Sequence, residues 1–450
     1  MSRTSSRVLS VLLGTGAAWA QVPPPAPPAP SVSPYPTVQL TLAQALRTAL
    51  DQNPRVQQSL LAIAESGDDR RAAAAALMPQ VGAQAYGQRA KNNLDAFIGV
   101  PTPGGPQVVG PFNWGQVGVE AQVSLFDLSL WKKWRASRHA EDATRAQGRA
   151  VREEIAALVV GQYLRALRAG ASVTAGESRV ELAEALAKLA ENQQKQGVGT
   201  RLDTLRSQLQ LQTERQRLIQ AQTQRLTALA GLGRLLDLKP GTRIELADTL
   251  TAPALPTTGF DQAYEAGLAQ RPELAALEAR EKAAENLRQA AQGLRLPTLV
   301  ATGAYGSTGL QSQPWATTYQ VSLGLRVPLF TGGLVSSHIS RAKSEQSRVQ
   351  EARRDVRAQV GYEVQVAQAE LDAAAHEVEV ANLAVSLSTE ALTQARHRFE
   401  AGVSNNIEVI NAQDELARAT DNQISALYRL NQSRVDLARA TGQLEQTFAR

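Results

Sequence analysis

Few residues in this chain have the types and spacing that chemistry needs. The four histidines, His139, His338, His376 and His397, stand too far apart for any two to share a metal from one helical face. There is no cysteine, no phosphate-binding loop and no nucleophile elbow. Gly303-Ala304-Tyr305-Gly306 is the one glycine cluster that suggests a ligand loop, but it falls in a predicted strand with no helix after it. Strand packing accounts for it, so no catalytic residue, cofactor or metal is expected. What stands out instead is a matched pair of carboxylates. Asp203 follows Thr200 by three residues and Glu408 follows Asn405 by three, each just beyond a glycine-valine pair. At that position a carboxylate favours a helix N-terminus.

The elements that position these carboxylates come in two copies. Thr41-Leu42-Ala43-Gln44-Ala45-Leu46 through Asn53-Pro54 corresponds to Phe260-Asp261-Gln262-Ala263-Tyr264 through Arg271-Pro272. Met78-Pro79 corresponds to Leu296-Pro297, Val123-Ser124-Leu125-Phe126 to Val327-Pro328-Leu329-Phe330, and Gly197-Val198 to Gly402-Val403. The offset falls along the repeat, so the first copy carries extra residues. The Gly/Pro-rich stretch from Lys91 to Pro111 is expected to be the loop that holds them.

No proline occurs between Phe112 and Lys239 or after Pro328, which permits uninterrupted helix over both stretches. Val364, Leu371, Val378, Val385, Leu392 and Phe399 recur every seven residues, and Ala367, Ala374, Ala381, Ser388 and Ala395 sit three later. This heptad seam pairs a bulky position with a small one and so predicts closely packed, left-handed coiled helices. A helix over 130–196 would be about 100 Å long. Helices are also expected over 201–236, 334–398 and 406–440.

Between the shorter and longer helices of each half the apolar period falls to two. Val117, Val119, Ala121, Val123 and Leu125 alternate with polar residues or glycine, and so do Val321, Leu323, Leu325, Val327 and Leu329. Strands are expected at about 80–90, 114–126, 297–306 and 317–330. Glu120 and Arg326 share the polar parity and should face a lumen, whereas Val119 and Leu325 should face lipid. Eleven of the twenty aromatic residues fall between Gln80 and Trp134 or between Pro297 and Phe330, near strand ends and loops. Phe126, Trp131, Trp134 and Phe330 are placed to form an interfacial girdle. The competing reading, a sheet in a soluble core, leaves no amphipathic helix to cover the apolar face. Four strands cannot close a membrane barrel, so several chains must contribute to one, and three would give twelve strands.

The remaining segments are simpler. Arg3 and Arg7 precede the largely apolar run Val8 to Leu13 and an Ala18-Trp19-Ala20 cleavage pattern, an export signal expected to be cut after Ala20. Residues 21–38 form a proline-rich arm, 239–258 a connector and 443–450 a tail. The absence of cysteine removes the attachment point for an N-terminal lipid. The net charge of +5, from 47 basic residues scattered among 42 acidic ones, describes solvated helix faces and not a nucleic-acid footprint.

The ordered set of these features resembles the TolC-like outer-membrane efflux protein family over residues 39–442. They are the export signal, the twofold helix-strand-strand-helix repeat, the Asn-Pro and Arg-Pro junctions, the Val-x-Leu-Phe strand ends and the Gly-Val hairpins. The resemblance implies an α+β membrane protein: a homotrimer with a twelve-stranded β-barrel in outer-membrane lipid and a helical tunnel in the periplasm. The tunnel tip would meet a periplasmic adaptor (membrane fusion) protein and an inner-membrane RND-type or ABC-type transporter. It implies, too, that the hairpins Gly197-Val198-Gly199-Thr200 and Gly402-Val403-Ser404-Asn405 form the closed entrance and dock the adaptor. Asp203 and Glu408 match acidic gate positions. Asn411 stands where a second ring carboxylate is common and Ser404 where a gate arginine can occur. Small-molecule efflux is the favoured cargo class, with protein secretion and metal efflux as alternatives on the same scaffold. Once the signal is removed Met78 is the only methionine, which disfavours a methionine-lined copper route. A reading from another class is a periplasm-spanning coiled-coil spacer with no pore, against which the alternating strands argue.

Overall fold

The computed structural model describes residues 37–93, 99, 108–253, 259–310 and 313–448. The expected signal and most of the proline-rich arm lie outside them. In chain order the elements are β1 (Thr37–Leu40), α1 (Leu42–Gln52), α2 (Pro54–Ala75), β2 (Gln80–Asn93), β3 (Val108–Phe126), α3 (Leu128–Lys195) and α4 (Arg201–Leu235). They continue with β4 (Arg243–Leu246), α5 (Phe260–Gln270), α6 (Pro272–Gly293), β5 (Thr298–Leu310), β6 (Ala316–Arg326), α7 (Leu334–Glu400), α8 (Asn406–Ala440) and α9 (Leu444–Phe448).

Two hairpins of very long helices, α3/α4 and α7/α8, form the body. Each long helix is accompanied along its length by two shorter ones that abut end to end. On α3 these are α2 and α4, where the Asn53 side chain caps α2 by accepting from the Arg55 N–H at 2.9 Å and donates to the Leu235 carbonyl at 2.9 Å. On α7 they are α6 and α8. Here Arg271 replaces asparagine: its buried guanidinium pairs with Glu363, and Gly442 ends α8 in the left-handed conformation, φ +69°, against the backbone of Gln270 and Arg271. The heptad seam is the core of α7, with Val364, Leu371, Val378, Leu392 and Phe399 buried together with Ala367, Ala374, Ala381 and Ala395. Alanine alternating with a bulky residue lets the paired helices approach closely over the seam, about 50 Å of α7.

The strands join in one antiparallel sheet in the order β2-β3-β5-β6. Some of its bounds differ from the alternation. β3 starts at Val108 and β2 runs to Asn93, so both ends of the expected Lys91–Pro111 loop are sheet, continuing the ladder past a register shift between Ala90 and Asn92. β6 stops at Arg326 and not at Phe330, because Pro328 has no N–H to continue a ladder and Gly332 and Gly333 turn the chain with positive φ. A second, two-stranded parallel sheet pairs β1, which straddles the boundary expected between arm and first repeat, with β4 in the expected connector. The buried Tyr163 hydroxyl fastens it, 2.7 Å from Asp248 Oδ2 and 3.0 Å from the Leu40 carbonyl oxygen. The expected tail carries α9, whose Leu444 is fully buried.

Candidate functional site

The geometry of interest lies at the two ends of the molecule. At the sheet end, β2 and β6 are edge strands whose outer edges have no partner among the described residues, and they run in opposite directions because three antiparallel pairings separate them. Register places Glu120 opposite Gly82 and Ala304, Ala304 opposite Gln320, and Arg326 opposite Thr298. Alternation then puts Gln80, Gln84, Glu120, Gln122, Thr302, Gln320, Ser322 and Arg326 on one face. Hydrogen bonds knit that face, from Gln84 Nε2 to Glu120 Oε2 at 3.3 Å and between the Thr302 and Ser322 hydroxyls at 2.6 Å. The other face carries Val81, Val117, Val119, Tyr305, Tyr319, Val321, Leu323 and Leu325. All of these are exposed, Val321 at 80% and Leu325 at 68%. No helix covers it. Of the girdle residues, Phe126 and Trp131 are exposed, Phe330 is 91% exposed, and Trp134 is half-buried at the start of α3. Among the described residues no helix is long and apolar enough to cross a membrane.

At the other end, α3 closes on Gly197 with φ +78°, and the Val198 and Gly199 N–H groups both donate to the Gln193 carbonyl at 3.0 Å. A Cβ on Gly199 would stand 2.9 Å from Gln193 Cβ, so this second glycine is required for close approach. Thr200 caps α4 by accepting the Asp203 N–H at 3.2 Å. In the second hairpin Gly402 has φ +71°, the Val403 N–H donates to the Arg398 carbonyl at 3.0 Å, and Asn405 Oδ1 accepts the Glu408 N–H at 3.3 Å. Val198 and Val403 stand exposed at the two apices. Asn411 is exposed on α8, and Ser404 Oγ is buried without a partner among the described residues.

Three features of this end escaped the sequence reading. Glu408 Oε1 lies 3.1 Å from Arg398 Nε, so its charge is paired within the hairpin. Asn406 is fully buried and joins the two tips, its Nδ2 donating to the Asp203 carbonyl at 3.0 Å and to Ser207 Oγ at 2.6 Å. Higher up, Glu214, 3% exposed, meets Arg217 at 2.5 Å, while Arg179 reaches across to Asp421 on α8 at 2.9 Å. Nothing in the local sequence separates these asparagines and arginines from their neighbours on solvated faces. The histidines make only local contacts, such as His139 with Asp142 at 3.5 Å, and among the described residues no cluster could hold a metal.

An open sheet with one bare apolar face, continued by helices about 100 Å long, defines a membrane channel subunit with a long helical stem. The chain belongs to the outer membrane efflux protein family, whose model matches residues 45–237 and 263–443, one match per repeat. It is therefore an outer-membrane channel protein extending into the periplasm, and not an enzyme. It is 28% identical over 316 residues to protein CyaE of Bordetella pertussis, covering 69% of this chain and 66% of that one, just under two thirds. To the pyoverdine export outer membrane protein OpmQ of Pseudomonas putida it is 27% identical over 331 residues, covering 70% and 68%. A crystal structure of a membrane protein from Pseudomonas aeruginosa has the same fold, with a TM-score of 0.78 at 23% identity over 89% of this chain and 90% of that one.

Proposed function

We propose that three copies of this chain form the exit duct of a tripartite export system, closing a twelve-stranded barrel in the membrane and a helical tunnel below it. The observation that carries the reading is that the chain is incomplete by itself in two matched ways. Its sheet has two free edges running in opposite directions, so copies add side by side with every junction antiparallel, and closure removes the edges that lipid does not tolerate. Its stem has two uncovered heptad seams. Leu205, Ile219 and Leu226 on α4, with Leu202 and Leu209, are exposed at multiples of seven, and so are Val380 and Leu387, with Tyr362 and Leu383, on α7. Two different seams on one chain make a head-to-tail interface, and such interfaces generate rings. The tips Gly197–Asp203 and Gly402–Asn411, with Val198 and Val403 at their apices, are then the entrance that meets the periplasmic adaptor and its RND-type or ABC-type pump.

The seams give the test. Ile219 is 18 residues from Arg201 and Leu383 is 17 from Glu400, so both stand about 26 Å above the tips. The pair Ile219→Cys with Leu383→Cys should cross-link into covalent trimers on oxidation, and each single variant should stay monomeric on a denaturing gel. A soluble, monodisperse monomer in detergent-free buffer would sink the trimeric duct.

The polar face of the sheet is proposed to line the lumen. Glu120→Cys and Arg326→Cys should react with a membrane-impermeant thiol reagent in reconstituted trimers, whereas Val119→Cys and Leu325→Cys should be protected. Equal labelling of both sets would mean that neither face is buried in lipid. For the cargo, small molecules are favoured, in keeping with the export role in the name of the relative OpmQ. Rescue of drug sensitivity in a strain lacking its own duct, with no rescue of protein secretion or of metal tolerance, would separate the three cargo classes.

A further inference from the structure

Directly below the sheet the charge pattern of the helices changes. From Leu128 to Ala140, α3 carries Lys132, Lys133, Arg135 and Arg138 and no acidic residue; from Leu334 to Ser344, α7 carries Arg341 and Lys343 and again no acid. Acidic residues resume at Glu141 and Glu345. The two stretches occupy equivalent places in the two repeats but share almost no residue identities, so the bias arises twice. Elsewhere the arginines and lysines of these helices commonly pair with carboxylates three or four residues away, as Arg145 does with Glu141 and Arg348 with Glu345. None of these six cations forms an ion pair within 4.0 Å among the described residues; only Arg341 lies close enough to a carboxylate, Glu345, to act on it electrostatically, so the collar is available to an external anion.

Their setting fixes the depth and the kind of anion. Leu329 and Phe330, more than nine-tenths exposed, mark the edge of the apolar band at the foot of the sheet. One turn into α3, the 40% exposed Trp131 ring has Lys132 Nζ 5.0 Å and Arg135 4.8 Å from its centroid, and Arg138 lies 5.5 Å from that of Trp134. Residues 131, 134, 135 and 138 share one helical face. The Trp134 Nε1 donor is buried there with no acceptor among the described residues. Tryptophan prefers the level of lipid headgroups, and cations stacked on it are carried to the depth of the phosphates.

We propose that this collar binds the phosphates of anionic glycerophospholipids in the periplasmic leaflet, so that the trimer carries a ring of acidic lipid. The proposal rests on the trimeric membrane duct argued above. A bilayer lipid is the occupant because the cations lie beside an exposed apolar surface, where acyl chains add burial that a free phosphate lacks.

The test uses the full-length protein reconstituted in vesicles of equal parts phosphatidylethanolamine and phosphatidylglycerol, then released gently and examined by native mass spectrometry. Phosphatidylglycerol should be enriched about tenfold among the retained lipids, and raised salt should weaken the enrichment. The combined change Lys132→Gln, Lys133→Gln, Arg135→Gln and Arg138→Gln should bring the ratio to parity while leaving the trimer and its conductance intact. Arg135→Gln alone should give an intermediate ratio. Trp131→Ala should lower retention of both lipids alike, because it removes anchoring and not charge. Glycerol 3-phosphate or inorganic phosphate should not displace the lipid. An unchanged ratio in the charge variants, or displacement by inorganic phosphate, would overturn the collar. Conducting trimers without lipid preference would leave the duct standing and refute the collar alone, whereas failure to insert as trimers would refute both.

Discussion

Val321→Arg should abolish trimer assembly in membranes although the Val321 side chain is largely exposed in its own chain. The side chain is 80% exposed at the middle of β6, and in water such a replacement would shift stability by no more than about 0.5 kcal/mol. On the lipid face of a barrel at the bilayer midplane the same arginine costs about 2–4 kcal/mol per copy, or about 6–12 kcal/mol over three copies. That is comparable with the whole stability of an ordinary domain. The control is its neighbour: Ser322 lies on the opposite face, bonded to Thr302, and Ser322→Arg should assemble nearly as well as the unmodified protein. Heat-sensitive gel migration after insertion into vesicles measures both. If Val321→Arg assembles and Ser322→Arg does not, the faces are inverted. If both assemble, the sheet does not cross a bilayer.

That contrast rests on parity, which is why the sheet is legible in the sequence. A period of two assigns every strand residue to a face, so Glu120 and Arg326 could be grouped from the alternation, and the register does place them on one surface. The long helices were legible for a similar reason, since proline marks where they cannot run and the seam from Val364 to Phe399 repeats over many turns. The parts that escaped lack a period. β1 and β4 are four residues each, too short for alternation to speak, and they pair across about two hundred residues of chain through contacts such as Leu40 and Ile244 in the core around Tyr163. β3 reached back to Val108 through a Gly-Pro pair that signals a turn, because ladder hydrogen bonds to β2 outweigh the local preference there. At the tips, glycine and capping signals placed the turns, whereas the partners of Glu408 and Asp203 depend on how two distant hairpins pack. Asn406 is one asparagine beside another in the sequence, and only its burial between the hairpins sets it apart.

The pairing of Glu408 with Arg398 turns the capping question into a measurable one. The cap itself is the Asn405 side chain accepting the Glu408 backbone N–H, which Glu408→Gln leaves in place. The carboxylate adds about 0.3–1 kcal/mol through the helix dipole, and a half-exposed ion pair contributes about 0–1 kcal/mol. Stability should therefore fall by about 0.3–2 kcal/mol per chain. The effect on permeation is larger if the side chain faces the entrance. Glu408→Gln removes one negative charge per chain and leaves Arg398 unpaired, so a trimeric entrance becomes more positive by three charges. Three charges about 10 Å from a passing ion, even at the dielectric constant of water, raise a cation's energy by about 1.2 kcal/mol and lower an anion's by as much, close to a tenfold loss of cation permeability and about a sixtyfold fall in the cation-over-anion ratio. Arg398→Gln should shift selectivity the opposite way by exposing Glu408. The double variant should return toward the original value, because the pair is then removed as a unit. Reversal potentials of open channels in planar bilayers under a salt gradient report all three. Equal reversal potentials in the three variants and the unmodified protein would place Glu408 away from the ion path and leave it as a helix-capping residue.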